Sequence, residues 1–362
     1  MNKRTREPLF HITKRAALPW WAVWAIRGGA LLAALIVCGV ITSLVTGENP
    51  FQVYAAIYKG SFGTARKLWV LLQNIAMLLC VSLAVTPAFR MRCWNLGGEG
   101  QALAGALAAA ACMICLRDKL PNGAVILLMI VTSILAGAIW AGIPAFFKAR
   151  FNTNETLFTL MMNYIAIGIV RWLQGGPWEG RPGTQIIPMF KDNARLPNVF
   201  GIYCGWIIVL VMVVIVHIYM NYTKHGYEVA VIGDSINTAR YAGMNVGWVM
   251  MRTMLFSGAI CGCVGWMLVS GANGTLNADV AGGMGFTAIT VAWLSQLNCF
   301  AMIIIASILA IIGKGSATLQ TKLNVPASVA DIVSGILLFC MLGCEFFINY
   351  KMVFRGKKEV KA

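Results

Sequence analysis

The chain has 362 residues, 59% of them hydrophobic and only 12% charged, with a mean hydropathy of +0.74. Soluble domains carry about 25% charged residues, so the composition excludes a soluble globular protein and points to an all-α polytopic membrane protein. The formal charge of +16 does not mark a nucleic-acid binder, because the basic residues are dispersed among short loops without interleaved aromatics, as membrane topology requires.

In chain order, a basic tail over residues 1–21, with Lys3, Arg4, Arg6, Lys14 and Arg15, precedes an apolar run too long for the core of a signal peptide. The run 22–46 therefore reads as a retained first span. Further spans follow at 68–89, 100–116, 124–147, 156–173, 201–220, 254–270 and 330–349, each near the ~20 residues that a crossing needs. The apolar region 286–313 is too long for one crossing and is interrupted at Ser295-Gln-Leu-Asn-Cys299. It divides into a short membrane-entering helix, 286–297, and a fuller span, 299–313. The tail 351–362 is again basic, with Lys351, Arg355, Lys357, Lys358 and Lys361. Two basic ends place both termini in the cytoplasm and require an even number of crossings, so about ten are expected. Ten divide as five plus five with opposite orientation, the arrangement of an inverted repeat. Two glycine-rich approaches echo this division. One is Asn95-Leu-Gly-Gly-Glu-Gly-Gln101 before an alanine-rich helix, and the other is Val280-Ala-Gly-Gly-Met-Gly285 before a second short helix. The Pro- and Gly-rich segment 174–200 is expected to form an irregular extracytoplasmic cap.

Three polar stretches carry candidate chemistry. In the first, glycines loosen the backbone beside Asn95, Glu99 and Gln101, and free N–H groups at a helix start favour polar or anionic partners. These side chains line a polar route through the bilayer, or they form a membrane-edge turn in which Glu99 steadies the next helix. In the second, Thr153 or Asn154 caps a helix with Glu155 in its first turn. Thr156, Thr159 and Asn163 then share one face, which points to a water-filled path or to interhelical hydrogen bonds. The third lies between two spans, over 222–253. It is long enough for a short surface helix capped by Asp234 or Ser235, with Ala239, Tyr241 and Ala242 along it, and it suits either docking on another protein or a plain connection.

Other features are weaker. Cys112 and Cys115 form a CxxC and Cys261 and Cys263 a CxC, but most of the 11 cysteines sit in apolar runs and read as small helix residues. The three histidines have no metal-ligand spacing. No Walker A, H-E-x-x-H or G-x-S-x-G motif occurs, so neither ATP hydrolysis nor protease or lipase chemistry is expected of this chain.

Asn95-Leu-Gly-Gly-Glu-Gly-Gln101 resembles the N-I-G-x-E-G-Q signature of bacterial ABC-importer permeases of the branched-chain amino acid, ribose and nucleoside group, with Leu96 and Gly98 as departures. Asn154-Glu-Thr-Leu-Phe-Thr-Leu-Met-Met-Asn-Tyr-Ile-Ala166 looks like the N-E-x-x-x-T-x-M-L-N-Y-I-A signature of the simple-sugar and nucleoside branch, with Met162 for leucine. The segment Gly226–Gly243 resembles that family's cytoplasmic segment, with Val229 where arginine is frequent and Asp234-Ser235 altering the pattern. The three motifs stand in the family's order, and the match covers roughly residues 65–350. The resemblance implies a single permease domain, 22–350, that is not itself an enzyme and holds no cofactor. ATP would be bound by a partner ATPase, a second related permease subunit would complete the assembly, and an extracytoplasmic binding lipoprotein would deliver a nucleoside or simple sugar across the cell membrane. Within 222–253, Gly226, Tyr227, Gly233, Ala239, Tyr241, Ala242 and Gly243 would couple to the ATPase. The alternative is an ion-coupled secondary transporter in which Asp331 or Glu345 binds the coupling ion.

Overall fold

The computed structural model describes residues 10–15, 18–47, 49–116, 119–188, 194–199 and 202–322, with scattered positions between 332 and 354. The protein is an all-α polytopic membrane protein. Among the described residues, seven helices are long and apolar enough to cross a membrane, and two shorter apolar helices accompany them. Half of the expected span 330–349, Asp331 and Glu345 included, lies outside the described residues.

The chain forms two compact units. The first comprises residues 1–63 and 312–362. It holds β1 (Phe10–Lys14), α1 (Trp20–Thr46), α2 (Pro50–Phe62), the end of α12 (Cys299–Lys322) and β4 (Tyr350–Phe354). Asn49 starts α2 by accepting the Phe51 N–H at 3.0 Å, and Pro50 occupies the first turn, where its missing N–H costs nothing. The stretch that follows α1 is therefore largely helical. Gly39 lets α2 close on α1, where the Tyr54 hydroxyl donates to the Leu35 carbonyl. β1 and β4 pair antiparallel from Phe10↔Phe354 to Lys14↔Tyr350.

The second unit, residues 64–311, contains α3 (Ala65–Arg90), α4 (Gly98–Leu116), α5 (Asn122–Phe151), α6 (Glu155–Gln174), α7 (Gly205–Tyr222), α8 (Lys224–Asp234), α9 (Ile236–Tyr241), α10 (Val246–Met267), α11 (Met284–Leu294) and the start of α12. α10 is the most buried of the spans, and its side chains explain why. Gly258, Gly262 and Gly265 lie on one face at i, i+4 and i+7. A Cβ on Gly258 would run into the Gly137 carbonyl of α5, one on Gly262 into Ser133, and one on Gly265 into Ala102 of α4. Small residues let backbones touch, which is how helices associate where lipid competes equally for apolar surface. Ser133 adds a hydrogen bond from its Oγ to the Gly105 carbonyl at 2.9 Å.

The interruption between α11 and α12 lies where the sequence placed it. α11 ends at Leu294, Gln296 and Leu297 turn the chain with φ of 51° and 60°, and Asn298 caps the next helix through the Phe300 N–H. Among the boundaries that differ from expectation are both ends of α10. α10 starts eight residues earlier than 254, because Asn245 accepts the Trp248 N–H, and it continues as a π-helical turn, Leu268–Asn273. The cap segment 174–200 holds a short strand, β2 (Asn198–Val199), paired with β3 (Ile202–Tyr203), and packs on this turn: Leu196 N–H donates to Ser270 O, and Ser270 Oγ to Ala194 O.

Candidate functional site

The structure brings the five expected path residues together, all buried, around the start of α4. Asn95 and Gln101 exchange side-chain hydrogen bonds, Gln101 Nε2 to Asn95 Oδ1 at 2.9 Å and Asn95 Nδ2 to Gln101 Oε1 at 3.3 Å. Asn95 Oδ1 also accepts the Gly97 N–H, and its Nδ2 donates to Ser257 Oγ of α10 at 3.0 Å. Asn95 thereby folds the 91–97 connection against α10. Ser257 had no motif to mark it.

Two side chains of α6 grip the same start. Thr159 Oγ1 accepts the Leu96 N–H at 3.2 Å. Asn163 bridges the turn, donating to the Leu96 carbonyl at 2.9 Å and accepting the Gly100 N–H at 2.8 Å. Gly100 has to be glycine, since a Cβ there would lie 2.9 Å from the Asn163 Cα. α6 is itself aimed by Asn154, which accepts the Leu157 N–H, and by a 2.9 Å ion pair between Lys148 and Glu155 across the turn from α5. Of the two expected caps, Asn154 is the one used.

Glu99 points the other way. Its two carboxylate oxygens accept the backbone N–H groups of Gly283 and Gly285, each at 2.9 Å, at the start of α11. Those donors have no partner within the helix, and the helix N-terminus favours a carboxylate. Gly283, with φ of 73°, turns the chain into α11, and a Cβ on Gly285 would lie 2.5 Å from the Glu99 nitrogen. The two glycine-rich approaches thus meet directly, joined by one side chain. Together these five side chains form an interhelical lock of hydrogen bonds among α4, α6, α10 and α11.

The second candidate region is the segment 222–253, which is two helices rather than one. Thr223 caps α8 through the Gly226 N–H, and Ser235, in extended conformation, ends α8 and caps α9 through the Thr238 N–H. α8 is fastened to the transmembrane helices along one side. Arg252 of α10 pairs with Glu228 at 2.7 Å. His225 meets Tyr219 of α7 and Thr253 Oγ1 of α10, the latter at 3.3 Å. Burial, followed by the neighbouring Arg252 charge, holds the His225 pKa below its ordinary 6.5. Gly226 lets α8 approach the Tyr219 and Met220 carbonyls, and Gly233 lets it approach the Arg90 carbonyl of α3.

The seven expected coupling residues divide accordingly. Gly226, Gly233 and Ala239 face inward, and Tyr227, Tyr241, Ala242 and Gly243 face outward. Tyr241 is 93% exposed on a helix whose neighbour Ala239 is fully buried. Sequence reasoning missed the fastening residues Glu228, His225 and Arg252. Their signal was present as opposite charges flanking a segment between two apolar runs. Among the described residues, no disulfide forms and no group of three His, Cys, Asp or Glu side chains gathers around a metal-sized site.

A family model described as the permease component of branched-chain amino acid transport systems matches residues 68–342. The chain is 28% identical over 354 residues to a glucose ABC transporter permease protein of Haloferax volcanii, covering 93% of this chain and 92% of the relative. It is 29% identical over 341 residues to a guanosine ABC transporter permease protein of Bacillus subtilis, covering 90% and 94%. It is 24% identical over 375 residues to a nucleoside ABC transporter permease protein of Lactococcus lactis, covering 100% and 97%. No solved structure matches the chain. The matched region takes in the interhelical lock and the fastened pair α8–α9 alike, and the chain belongs to the family of branched-chain amino acid transport system permease components.

Proposed function

We propose that this chain is the membrane subunit of an ATP-driven importer for nucleosides or simple sugars, coupled through α8 and α9 to a separate ATPase. The observation that carries the coupling is the two-sidedness of that segment. Its inner side is pinned to α3, α7 and α10 by Glu228–Arg252, His225 and two glycines, while its outer side presents Tyr227 and Tyr241. A push on the exposed side is carried into the transmembrane helices, because the pinned side cannot slide. Exposed tyrosines are typical anchors at protein interfaces. The solute class is supported by the relatives, whose names specify glucose, guanosine and nucleosides.

The assembly includes a second related permease subunit and an extracytoplasmic solute-binding lipoprotein, in the cell membrane. The chain has both termini in the cytoplasm. Antiparallel pairing of β1 with β4 supports an even number of crossings, since strands can pair only on one side of the bilayer. The basic ends support the cytoplasmic side.

Co-purification with the ATPase and the binding protein, followed by a screen of nucleosides and sugars against that binding protein, tests the reading. Solute-stimulated ATP hydrolysis is expected in the complex. Ala242→Arg is expected to abolish ATPase co-purification while leaving membrane insertion intact. Wild-type association and stimulated hydrolysis in that variant would overturn the assignment of α8–α9.

A further inference from the structure

Two cavities lie along one exposed flank formed by α3, α7 and α12, and they differ in chemistry. The first, of about 600 Å³, sits where α3 and α7 end and α12 begins. Arg90, His217, Asn221, Tyr222, Gln296 and Asn298 supply its polar atoms. None of its lining residues is acidic. Arg90 spends one N–H on a long 3.4 Å bond to Asn221 Oδ1, and among the described residues no carboxylate pairs with it. The second, of about 370 Å³, is lined almost wholly by apolar atoms, including Leu72, Leu79, Leu210 and Ile303. Each cavity draws on all three helices: Arg90, His217 and Cys299 for the first, and Leu79, Leu210 and Ile303 for the second.

We infer that this flank binds an anionic phospholipid, its headgroup against Arg90 and His217 and an acyl chain in the groove between Leu79 and Leu210. Charge, length and exposure fix the occupant. The first is charge: a cavity with a guanidinium, an imidazole and amide and hydroxyl donors, and no acid to neutralise them, suits a phosphodiester. Basic pockets between transmembrane helices are recurrent sites for such headgroups. The second is length. The eleven residues from Leu79 to Arg90 rise roughly 16 Å along α3, close to one leaflet, which is about half of the ~30 Å hydrocarbon core. The third is exposure. In α7 Val214, between the cavities, and Ile218, next to His217, are half-exposed and apolar, and so is Phe300 of α12, whose ring lies 4.9 Å from the His217 ring. An acyl chain laid from the polar cavity to the groove crosses apolar surface throughout.

The flank carries a structural consequence. Asn298 begins α12, and Arg90 ends α3 against Gly233 of α8, so the headgroup sits beside the joint where the pinned helix meets the membrane. Assignment to the inner leaflet rests on the proposed function, but lipid binding itself does not.

The test is native mass spectrometry of the purified full-length chain in detergent, with phosphatidylglycerol or phosphatidylcholine added. Preferential retention of phosphatidylglycerol is expected, and free glycerol phosphate should not displace it, because the groove contributes through the tail. Arg90→Gln should reduce the preference for phosphatidylglycerol about five-fold, the equivalent of about 1 kcal/mol per basic residue at an anionic surface. Arg90→Lys should retain most of it. Ile303→Trp, which fills the groove and leaves the cationic end untouched, should weaken retention of both lipids. Equal retention of the two lipids by the wild type, or an unchanged preference in Arg90→Gln, would overturn the site. Displacement by glycerol phosphate alone would overturn the tail groove. Tyr241→Ala provides the separation from function: loss of ATPase binding with lipid preference intact leaves this inference standing on its own.

Discussion

Removing the Glu99 carboxylate tests the junction between α4 and α11 directly. In Glu99→Ala, the Gly283 and Gly285 N–H groups lose their acceptors at the start of a helix whose N-terminus favours negative charge. An orphaned buried donor costs about 1–3 kcal/mol. Gly285 is buried and bears the full cost, whereas Gly283 is half-buried and recovers part of it from water. The expected loss is therefore roughly 2–4 kcal/mol, concentrated in the first turn of α11. Glu99→Gln keeps one acceptor oxygen but turns an NH2 group towards the other donor, so about half of that loss is expected. Hydrogen–deuterium exchange in lipid nanodiscs, read over Gly283–Thr287, is the assay. Protection should fall by roughly 30-fold or more in the alanine variant, corresponding to at least ~2 kcal/mol, and by less in the glutamine variant. Uptake should fall in the same order while the subunit still assembles. Unchanged exchange at Gly283 and Gly285 in Glu99→Ala would refute the reasoning, because the two hydrogen bonds would then carry no free energy.

Four further outcomes follow from the same structure. Gly262→Leu should destabilise the protein by well over ~1–3 kcal/mol, the usual cost of overpacking, because its side chain would meet the Ser133 backbone; a thermal unfolding midpoint equal to wild type would contradict the packing. Glu228→Gln should weaken solute-stimulated ATP hydrolysis more than ATPase association, since it loosens the pinned side of α8 and leaves the exposed side intact; equal losses would count against the division. For His225 the sign is set by its lowered pKa: its contribution is complete above about pH 6.5 and falls as the pH drops towards the folded-state value, because the unfolded chain then binds the proton more readily. Exchange protection of α8 should therefore fall between pH 7.5 and 5.5, and His225→Gln should flatten that dependence. Finally, Thr13→Cys with Lys351→Cys, placed in an otherwise cysteine-free chain, should cross-link under mild oxidation, as facing residues of an antiparallel pair lie within disulfide reach; absence of the cross-link would break the β1–β4 pairing.

Much of this molecule was legible in the sequence because apolar length is a strong signal. The break at Ser295–Cys299 and the cap at Asn154 were marked by residue type and spacing, and Asn95, Glu99, Gln101, Thr159 and Asn163 stood out as polar groups in apolar surroundings. What those five side chains do was less legible. A polar stripe reads alike whether it faces water or a neighbouring backbone, and only the fold shows Asn163 spanning Leu96 and Gly100. The same holds for Ser257, a lone hydroxyl among small residues until Asn95 is brought against it. α8 went unread because the cap at Asp234 or Ser235 reads as the start of one helix, whereas Ser235, in extended conformation, also ends a helix before it. The inward turn of Ala239 likewise depends on where α9 starts, which a difference of one residue in the cap would change.

The contact of Gly258, Gly262 and Gly265 with α4 and α5 has a steric corollary for transport. Helices whose backbones touch leave no lane between them wide enough for a sugar ring. Widening that seam would expose backbone amides and carbonyls that are matched only to one another. A solute must therefore pass along the outside of this three-helix wedge, and the opposite wall of its passage has to be contributed by another surface. The wedge behaves as a fixed bank against which a stream is confined, and the moving parts of an import cycle are to be sought among the helices packed around it.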